Sequence, residues 1–296
     1  YTNRRADRKQ APRLLVASKS FDNSVIGATE QAAVVDRAIA GRFAQLVQTH
    51  GAYFVSAPEA DALRALLFYP DGSINTKTVG QSATVLAAMA GFDVPSGTRV
   101  LVARLATVGK AEPLSREKLT TVLGWYEVDD WKAGCDRCLE LIHFGGDGHS
   151  VAIHARDRDV VLAFGLEKPV HRIVVNTMST LGATGGTTGL DPSMTLGPGG
   201  IGGAITGDNI GVRHLFTVKR VAWGIKPPPA QALLPGTDAK ALGRGLSAPV
   251  DFAARQTGPV ATEPAVTASG TSGTGVTPAE IERIAQRVLA DLRGRT

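Results

Sequence analysis

The feature that most constrains the fold is an alternation of short apolar segments with amphipathic ones between residues 31 and 176. The short apolar runs indicate buried strands. The segments between them repeat apolar residues at helical spacing, as Ile39, Phe43 and Leu46 do. Strands are predicted at 52–56, 99–104, 122–128, 150–154 and 172–176, and helices at 38–48, 57–68, 78–90, 129–141 and 158–164. This order predicts an α/β fold with a doubly wound, mostly parallel sheet, which binds ligands at the carboxyl ends of its strands.

The composition favours a globular cytoplasmic protein. With 296 residues, of which 43% are hydrophobic, the chain can bury a full core. No apolar run approaches the ~20 residues of a membrane span, and residues 1–9 lack the apolar core of a signal peptide. The net charge of +5 permits an anionic partner, but aromatic residues make up only 5% and the basic residues do not cluster with them. Nucleic acid is therefore not expected, whereas a dinucleotide or CoA would suit the charge.

Composition also divides the chain into four parts. Residues 1–12 are rich in arginine and show no period, so a disordered remnant or a truncated end is expected there. Residues 13–225 carry the alternation, and a strand-like stretch at 212–224 closes it. Residues 226–276 are mostly Pro, Ala, Gly, Ser and Thr, which indicates a flexible linker. Residues 277–296 are the fourth part.

The fourth part predicts a single amphipathic helix. Thr277 and Glu280 form a capping box, with Pro278 at the first helical position. Apolar residues follow at a spacing near 3.6, namely Ile281, Ile284, Ala285, Val288, Leu289 and Leu292. A short helix on a long tether needs a groove that covers its apolar face. The groove belongs either to a partner or to the chain's own folded domain.

Residues 181–211 are rich in glycine, and two interpretations stay open. Glycine lets backbone amides approach a phosphate or another chain closely. The alternative is an irregular connection that needs positive φ angles. No G-x-x-x-x-G-K-[ST] motif is present, and Gly200, Gly202 and Gly203 do not follow the strand–turn–helix context of a dinucleotide fingerprint.

The cysteines and histidines form no recognisable ligand set. Cys135 and Cys138 stand as C-x-x-C inside the predicted helix 129–141, without a second pair of ligands at zinc spacing. We expect ordinary, partly buried thiols. His149 and His154 are interpreted as hydrogen-bonded structural residues rather than ligands.

A polar, turn-prone loop at residues 20–31 reads SFDNSVIGATEQ. Such loops often carry the reactive groups of α/β enzymes. This one resembles the F-D-N-x-x-I-C-A-x-E-Q loop of the CoA-acylating aldehyde dehydrogenases. The resemblance covers residues 13–225 through further matches in the same order: V-G-Q-S from Val79, E-P-L-S-R-E-K-L from Glu112, F-G-G from Phe144 with Gly148-His149, His154, Arg172 with Asn176-Thr177, T-L-G-P-G from Thr195 and His214-Leu215.

The resemblance implies a two-step reaction with NAD and CoA. A cysteine thiolate attacks a short aliphatic aldehyde, hydride passes to NAD(P)+, and CoA releases the acyl group. The family's catalytic cysteine corresponds to Gly27, and its glutamate that contacts the nicotinamide ribose corresponds to Glu117. Without the resemblance, Glu117 would be interpreted as a surface carboxylate at a helix start. Neither Cys135 nor Cys138 is expected to replace the nucleophile, so we predict that this copy does not turn over.

Two further expectations come from the same resemblance. The family carries a larger N-terminal portion, with most of its dinucleotide-binding domain and an asparagine that stabilises the oxyanion, and this chain has no counterpart of either. The tail resembles the encapsulation peptides of bacterial-microcompartment enzymes. The predicted partner is therefore a shell protein bound through the tail from Thr277 to Thr296, inside the microcompartment lumen, and a homo-oligomer is expected. The alternative is a non-catalytic binding or assembly module of such a compartment.

Overall fold

The alternation of strands and helices is confirmed in a computed structural model that describes residues 1–226, 228 and 229. Residues Tyr1–Lys219 form one compact unit, which holds every helix and strand named below. The chain from Arg220 belongs to a second unit, whose described residues are exposed and lack helix or strand. The predicted helix at 277–296 and nearly all of the predicted linker lie outside the described residues.

Local sequence signals explain where the elements begin. The Asp36 side chain accepts a hydrogen bond from the Ala38 amide at the start of α2, and Ser56 and Glu59 form a capping box at α3. The described helices are α1 Gln10–Ser20, α2 Arg37–Thr49, α3 Ala57–Leu67, α4 Ala83–Met89, α5 Trp131–Gly145, α6 Arg158–Glu167 and α7 Ser179–Ala183. The described strands are β1 Ala32–Asp36, β2 Ala52–Phe54, β3 Val100–Arg104, β4 Val122–Val128, β5 Gly148–Ile153 and β6 Val170–Val175. None of these helices is long and apolar enough to cross a membrane.

The predicted parallel sheet is present, in two ladders. Four strands pair in the order β1-β4-β3-β2, and β5 pairs with β6, with every pairing parallel. Residues at the start of the chain join the ladders. Thr2 forms parallel bridges to Val35 of β1 and to His154 just after β5. The backbone therefore runs as one sheet across both ladders, with residues 1–3 at its centre.

The pairing of residues 1–3 within the sheet contradicts the prediction that residues 1–12 are disordered. The Thr2 amide donates to the Val34 carbonyl at 2.8 Å, and the Asn3 amide donates to the His154 carbonyl at 3.0 Å. Thr2 and Asn3 are only 3% and 5% exposed. The prediction of disorder was wrong because the pairing partners lie far along the chain, where no local period can reveal them.

Helices cover both faces of the sheet, as the doubly wound prediction requires. Successive strand residues point to opposite faces. Val35 and Val102 pack with Phe43 of α2 and with residues of α1, while Val34 and Leu101 pack with residues of α3, α4, α5 and α6. The site described below lies on the second of these faces and at the sheet edge beside it.

The predicted strand at 212–224 does not form within the compact unit. Val212–Leu215 is a short 3-10 helix, and residues 216–219 have no regular structure. Leu215 and Phe216 are 79% and 68% exposed. Apolar alternation makes a strand only where a partner ladder is available, and the described residues offer none to this segment.

Candidate functional site

The loop at residues 20–31 begins with a left-handed turn. After α1 ends, Asp22, Asn23 and Ser24 adopt positive φ angles of 47°, 45° and 70°. Asp and Asn tolerate this region better than most residues, and the Ser24 hydroxyl fixes the turn by donating to the Lys19 carbonyl at 2.9 Å. The turn reverses the chain and delivers Gly27 to the surface just before β1.

Gly27 occupies a position that could hold a side chain. Its φ angle is not in the left-handed region that favours glycine, and a Cβ built on it would meet only His149 Nε2, at 3.6 Å. That distance is an ordinary van der Waals contact. Neither the backbone nor the surrounding space therefore requires glycine here.

His149, at the start of β5, faces position 27 through Nε2. Its Nδ1 lies 2.9 Å from the Ser150 hydroxyl, which orients the ring. Burial, helped by the charge of Arg172, lowers the pKa of His149 below its ordinary value of 6.5. The imidazole is therefore neutral at neutral pH and able to accept a proton. The sequence interpretation of His149 as a structural residue missed this position, because a single strand histidine carries no spacing signal.

Glu117 lies in the connection between a 3-10 turn, Pro113–Ser115, and β4, and its side chain is exposed. It is not the helix-start carboxylate of the alternative interpretation. The next residue, Lys118, fixes this connection to the loop at residues 20–31: its amide donates to Gln31 Oε1 at 3.1 Å. Gly27 and Glu117 both line the cleft described below.

A buried carboxylate and a buried amine lie behind the loop. Glu30 Oε1 accepts a hydrogen bond from the Ser179 amide at 3.1 Å, and burial raises the pKa of Glu30. The Lys19 side chain is fully buried, and burial lowers its pKa to about 7, against the attraction of Glu30 and Glu117. Within residues 1–226, neither Lys19 Nζ nor Glu30 Oε2 has a hydrogen-bond partner.

These residues surround a cleft of about 410 Å³. One wall is α5, through Cys138, Leu141 and Ile142, and the other is formed by β1, β5 and residues 1–2. Residues that line the cleft include Gly27, Glu30, Gln31, Glu117, Asp147 and His149. The loops that hold Gly27, Glu117 and His149 all come directly before a strand or at its first residues. The sequence predicted a site at the carboxyl ends of the strands, whereas these three cleft-lining residues lie at the amino ends of β1, β4 and β5.

The glycine-rich segment packs against its own chain. A Cβ on Gly148 would meet the Pro198 carbonyl at 2.1 Å, and one on Gly202 would meet the Asp147 carbonyl at 2.7 Å. Gly199 likewise lies against the ring of His171. Glycine is required at positions 148 and 202 because the backbone segments around residues 147–148 and 198–202 touch there. Pro198 and Gly202 also line the cleft, so this packing forms part of its rim.

Arg172 of β6 holds the same rim. Its side chain donates to Asn209 Oδ1 at 2.7 Å and to four backbone carbonyls. These carbonyls belong to His149 at 3.3 Å, Gly197 at 2.8 Å, and Gly207 and Asp208, both at 2.9 Å. Arg172 is only 2% exposed. One guanidinium therefore links β6, the backbone of His149 and the glycine-rich segment.

The remaining cysteine and histidine candidates form no metal centre within the described residues. Cys135 and Cys138 are free thiols that are 1% and 5% exposed, so they are fully rather than partly buried. Burial raises the pKa of both thiols, which leaves them poor nucleophiles. His154 is buried beside the central segment of the sheet, and burial lowers its pKa to about 4.

The α/β fold with its parallel sheet matches solved structures of acylating aldehyde dehydrogenases. An acetylating aldehyde dehydrogenase from Geobacillus thermoglucosidasius superposes with a TM-score of 0.75 at 41% identity, covering 77% of this chain and 50% of that one. A propionaldehyde dehydrogenase from the Clostridium phytofermentans fucose utilisation bacterial microcompartment gives a TM-score of 0.63 at 25% identity, covering 70% and 46%.

Comparison of sequences gives the same result. An aldehyde-alcohol dehydrogenase of Clostridium acetobutylicum is 38% identical over 219 residues, which cover 72% of this chain and 25% of that protein. A succinate-semialdehyde dehydrogenase (acetylating) of Clostridium kluyveri is 28% identical over 218 residues, covering 73% and 48%. No family model matches the chain. Homologues and structural neighbours are thus acylating aldehyde dehydrogenases, and the chain spans half or less of the length of these relatives.

Proposed function

We propose that the cleft is the substrate-side part of a CoA-acylating, NAD-dependent aldehyde dehydrogenase site that has lost its nucleophile. The observation that carries the proposal is the position of Gly27. A side chain there would project toward a neutral imidazole, His149, in a cleft that Glu117 also lines. The similarity to acylating aldehyde dehydrogenases supports the assignment of these positions.

The chemistry of the position follows from its neighbours. A cysteine at residue 27 would attack a short aliphatic aldehyde as the thiolate, and His149 Nε2 could accept the thiol proton because it is neutral. The thiohemiacetal formed by this attack would become a thioester when its hydride passes to NAD(P)+, and the thiol of CoA would then open the thioester, giving acyl-CoA and the free cysteine. With Gly27 there is no atom to form the bond to the aldehyde, so we propose that this copy does not turn over.

The residues of the cleft fit the nicotinamide end of NAD(P)+. Glu117 is an exposed carboxylate at the cleft, suited to accept hydrogen bonds from the two ribose hydroxyls. When bound, NAD(P)+ would supply the hydride acceptor.

Calorimetric titration of the chain with NAD+ and with CoA tests the proposal. We expect weak binding of NAD+ that Glu117→Gln reduces about tenfold, because a hydrogen bond to a charged group contributes about 1.5–3 kcal/mol. Glu140→Gln on α5 is the matched control, since that carboxylate does not line the cleft. Binding of neither ligand would favour the competing interpretation, a binding or assembly module without a nucleotide site.

The tail carries a separate part of the proposal. We propose that residues 277–296 dock on a microcompartment shell protein, that the protein lies in the compartment lumen, and that it forms a homo-oligomer. Two observations support the docking and the location in the lumen: the capped amphipathic pattern that starts at Thr277, and the structural similarity to a dehydrogenase of a bacterial microcompartment.

Deletion of the tail tests the docking directly. Removing residues 277–296 should release the protein from purified shells in a co-sedimentation assay, because the apolar face is then absent. Leu289→Glu should act in the same direction by placing a charge on that face, whereas Arg287→Glu on the polar face should not. Retention of the truncated protein on the shells would refute the docking role.

A further inference from the structure

Lys118 is a buried amine in a cage of backbone carbonyls. It is 1% exposed. Its Nζ donates to the carbonyls of Leu114 and Arg116, both at 2.8 Å, and to that of Gln31 at 3.1 Å. An ammonium group has three N–H donors, whereas a neutral amine has two donors and a lone pair that would face the third carbonyl. The arrangement therefore matches the protonated form.

The positive charge of this group is not cancelled by a contacting carboxylate. No salt bridge of Lys118 occurs within residues 1–226, and Glu112 and Glu117 act on it only through space. Burial lowers the pKa of Lys118 well below its ordinary value of 10.5, the charge of Lys19 lowers it further, and the two carboxylates oppose these effects. The three carbonyl dipoles also oppose them, because they point their negative ends at Nζ.

The same residue joins the two loops that meet at the cleft. Its amide and its Nζ both bind Gln31, through the side-chain oxygen at 3.1 Å and the carbonyl at 3.1 Å. Gln31 follows Gly27 by four positions in the loop, and Glu117 directly precedes Lys118. The separation of Gly27 and Glu117 thus depends on this double link.

We propose that Lys118 is a positioning residue: a caged ammonium that holds Glu117 against the Gly27 loop and provides positive potential for an anion at position 27. The proposal deepens the proposed function, because it rests on position 27 as the site of the nucleophile. A thiolate there, or the oxyanion formed beside it, would be stabilised without a direct hydrogen bond from the lysine. A buried charge acts over several ångströms because protein screens it less than water does.

Other ionisable groups also lie around position 27. They are Lys19 of α1, Glu30 of the Gly27 loop, Glu117 in the connection before β4, Asp147 in the connection before β5, His149 of β5 and Arg172 of β6. The contribution of Lys118 must therefore be measured as a difference between two proteins that share all of these groups.

The test is the titration of a thiol placed at position 27 of the full chain. In Gly27→Cys and in Gly27→Cys/Lys118→Met, the rate of alkylation by iodoacetamide is measured against pH. Peptide mapping separates the new thiol from Cys135 and Cys138. We expect the pH midpoint of alkylation to rise by about one unit in the double variant. At a pH below both midpoints, the thiol of the double variant should then be alkylated about tenfold more slowly. The plateau at high pH should stay the same.

Gly27→Cys/Lys77→Met is the matched control, because Lys77 is an exposed lysine away from the cleft. Its midpoint should equal that of Gly27→Cys. Coincident midpoints with and without Lys118 would overturn the proposal, and so would a change confined to the plateau, which is the result expected from a purely structural role.

A second measurement covers the case in which Lys118→Met does not fold. Gly27→Cys alone should titrate below the ordinary thiol value of about 8.5, and 1 M salt should not raise its midpoint, because a buried charge is poorly screened. A midpoint at or above that value, or one that salt raises to it, would overturn the proposal. These assays contain no NAD+, CoA or aldehyde, so their outcome is independent of the calorimetric test of the proposed function.

Discussion

Replacing Arg172 with methionine should lower the free energy of unfolding by about 3 kcal/mol or more, because several buried neutral acceptors lose their charged donor at once. The guanidinium donates five hydrogen bonds, to Asn209 Oδ1 and four carbonyls. Methionine fills much of the volume but leaves these acceptors without a donor, and each buried unsatisfied group costs about 1–3 kcal/mol. Equilibrium urea unfolding, followed by tryptophan fluorescence, measures the loss.

Arg213→Met is the matched control, because it removes an arginine from the same part of the fold. Arg213 makes salt bridges to Asp191 at 3.3 Å and Asp208 at 3.1 Å, but its side chain is 63% exposed. Such surface pairs contribute about 0–1 kcal/mol. Arg172→Lys should fall between the two, because an ammonium keeps the charge but cannot reach all five acceptors. Equal small losses for Arg172→Met and Arg213→Met would contradict the assigned role.

Five of the six described strands were predictable because their signal is local, whereas β1 was not predicted. Val122–Val128 is an apolar run interrupted only by Glu127 and forms a mostly buried parallel strand in the fold. Helix starts were also predictable, since a capping box such as that of Ser56 and Glu59 is a short-range interaction. A parallel, doubly wound arrangement follows from the alternation of these elements.

The centre of the sheet was not predictable in the same way. Thr2 lies between Val35 and His154, so its partners are far away along the chain. The neighbouring arginines suggested a solvated end, yet the paired residues occupy only three positions and carry no period. A strand this short gains its stability from tertiary pairing rather than from its own sequence.

Two residues of the candidate site, Gly27 and Glu117, came from the resemblance. Both line the cleft, and their roles stay predictions. His149 and Lys118 lie in motifs that match the family, but a histidine or a lysine in such a motif does not by itself indicate what the side chain does. Lys118 is only 1% exposed, because the carbonyls of Leu114 and Arg116 in the preceding turn and that of Gln31 in a distant loop converge on its Nζ. Such convergence is a property of the folded chain.

Gly27→Cys is the change with the largest expected effect on chemistry. The chain spans half of the solved acetylating aldehyde dehydrogenase from Geobacillus thermoglucosidasius, so the assay uses a fusion to the half of that protein that the chain does not cover. With Gly27, we expect no NADH formation that depends on aldehyde and CoA. With Gly27→Cys, turnover should rise by at least about 10³-fold, the scale of losing a nucleophile. The structure allows the change, because the new Cβ meets only His149 Nε2 at 3.6 Å.

Gly27→Ser separates nucleophilicity from shape in the same fusion. Serine has nearly the size of cysteine, but its hydroxyl does not ionise near neutral pH, so this variant should stay inactive. His149→Ala in the Gly27→Cys background should lower turnover and flatten the acid limb of the pH–rate profile, because the neutral imidazole no longer accepts the thiol proton. Robust NADH formation by the Gly27 fusion, abolished only by a substitution elsewhere, would show that another residue performs the attack. The buried Cys138 on the cleft wall would then be the first residue to replace.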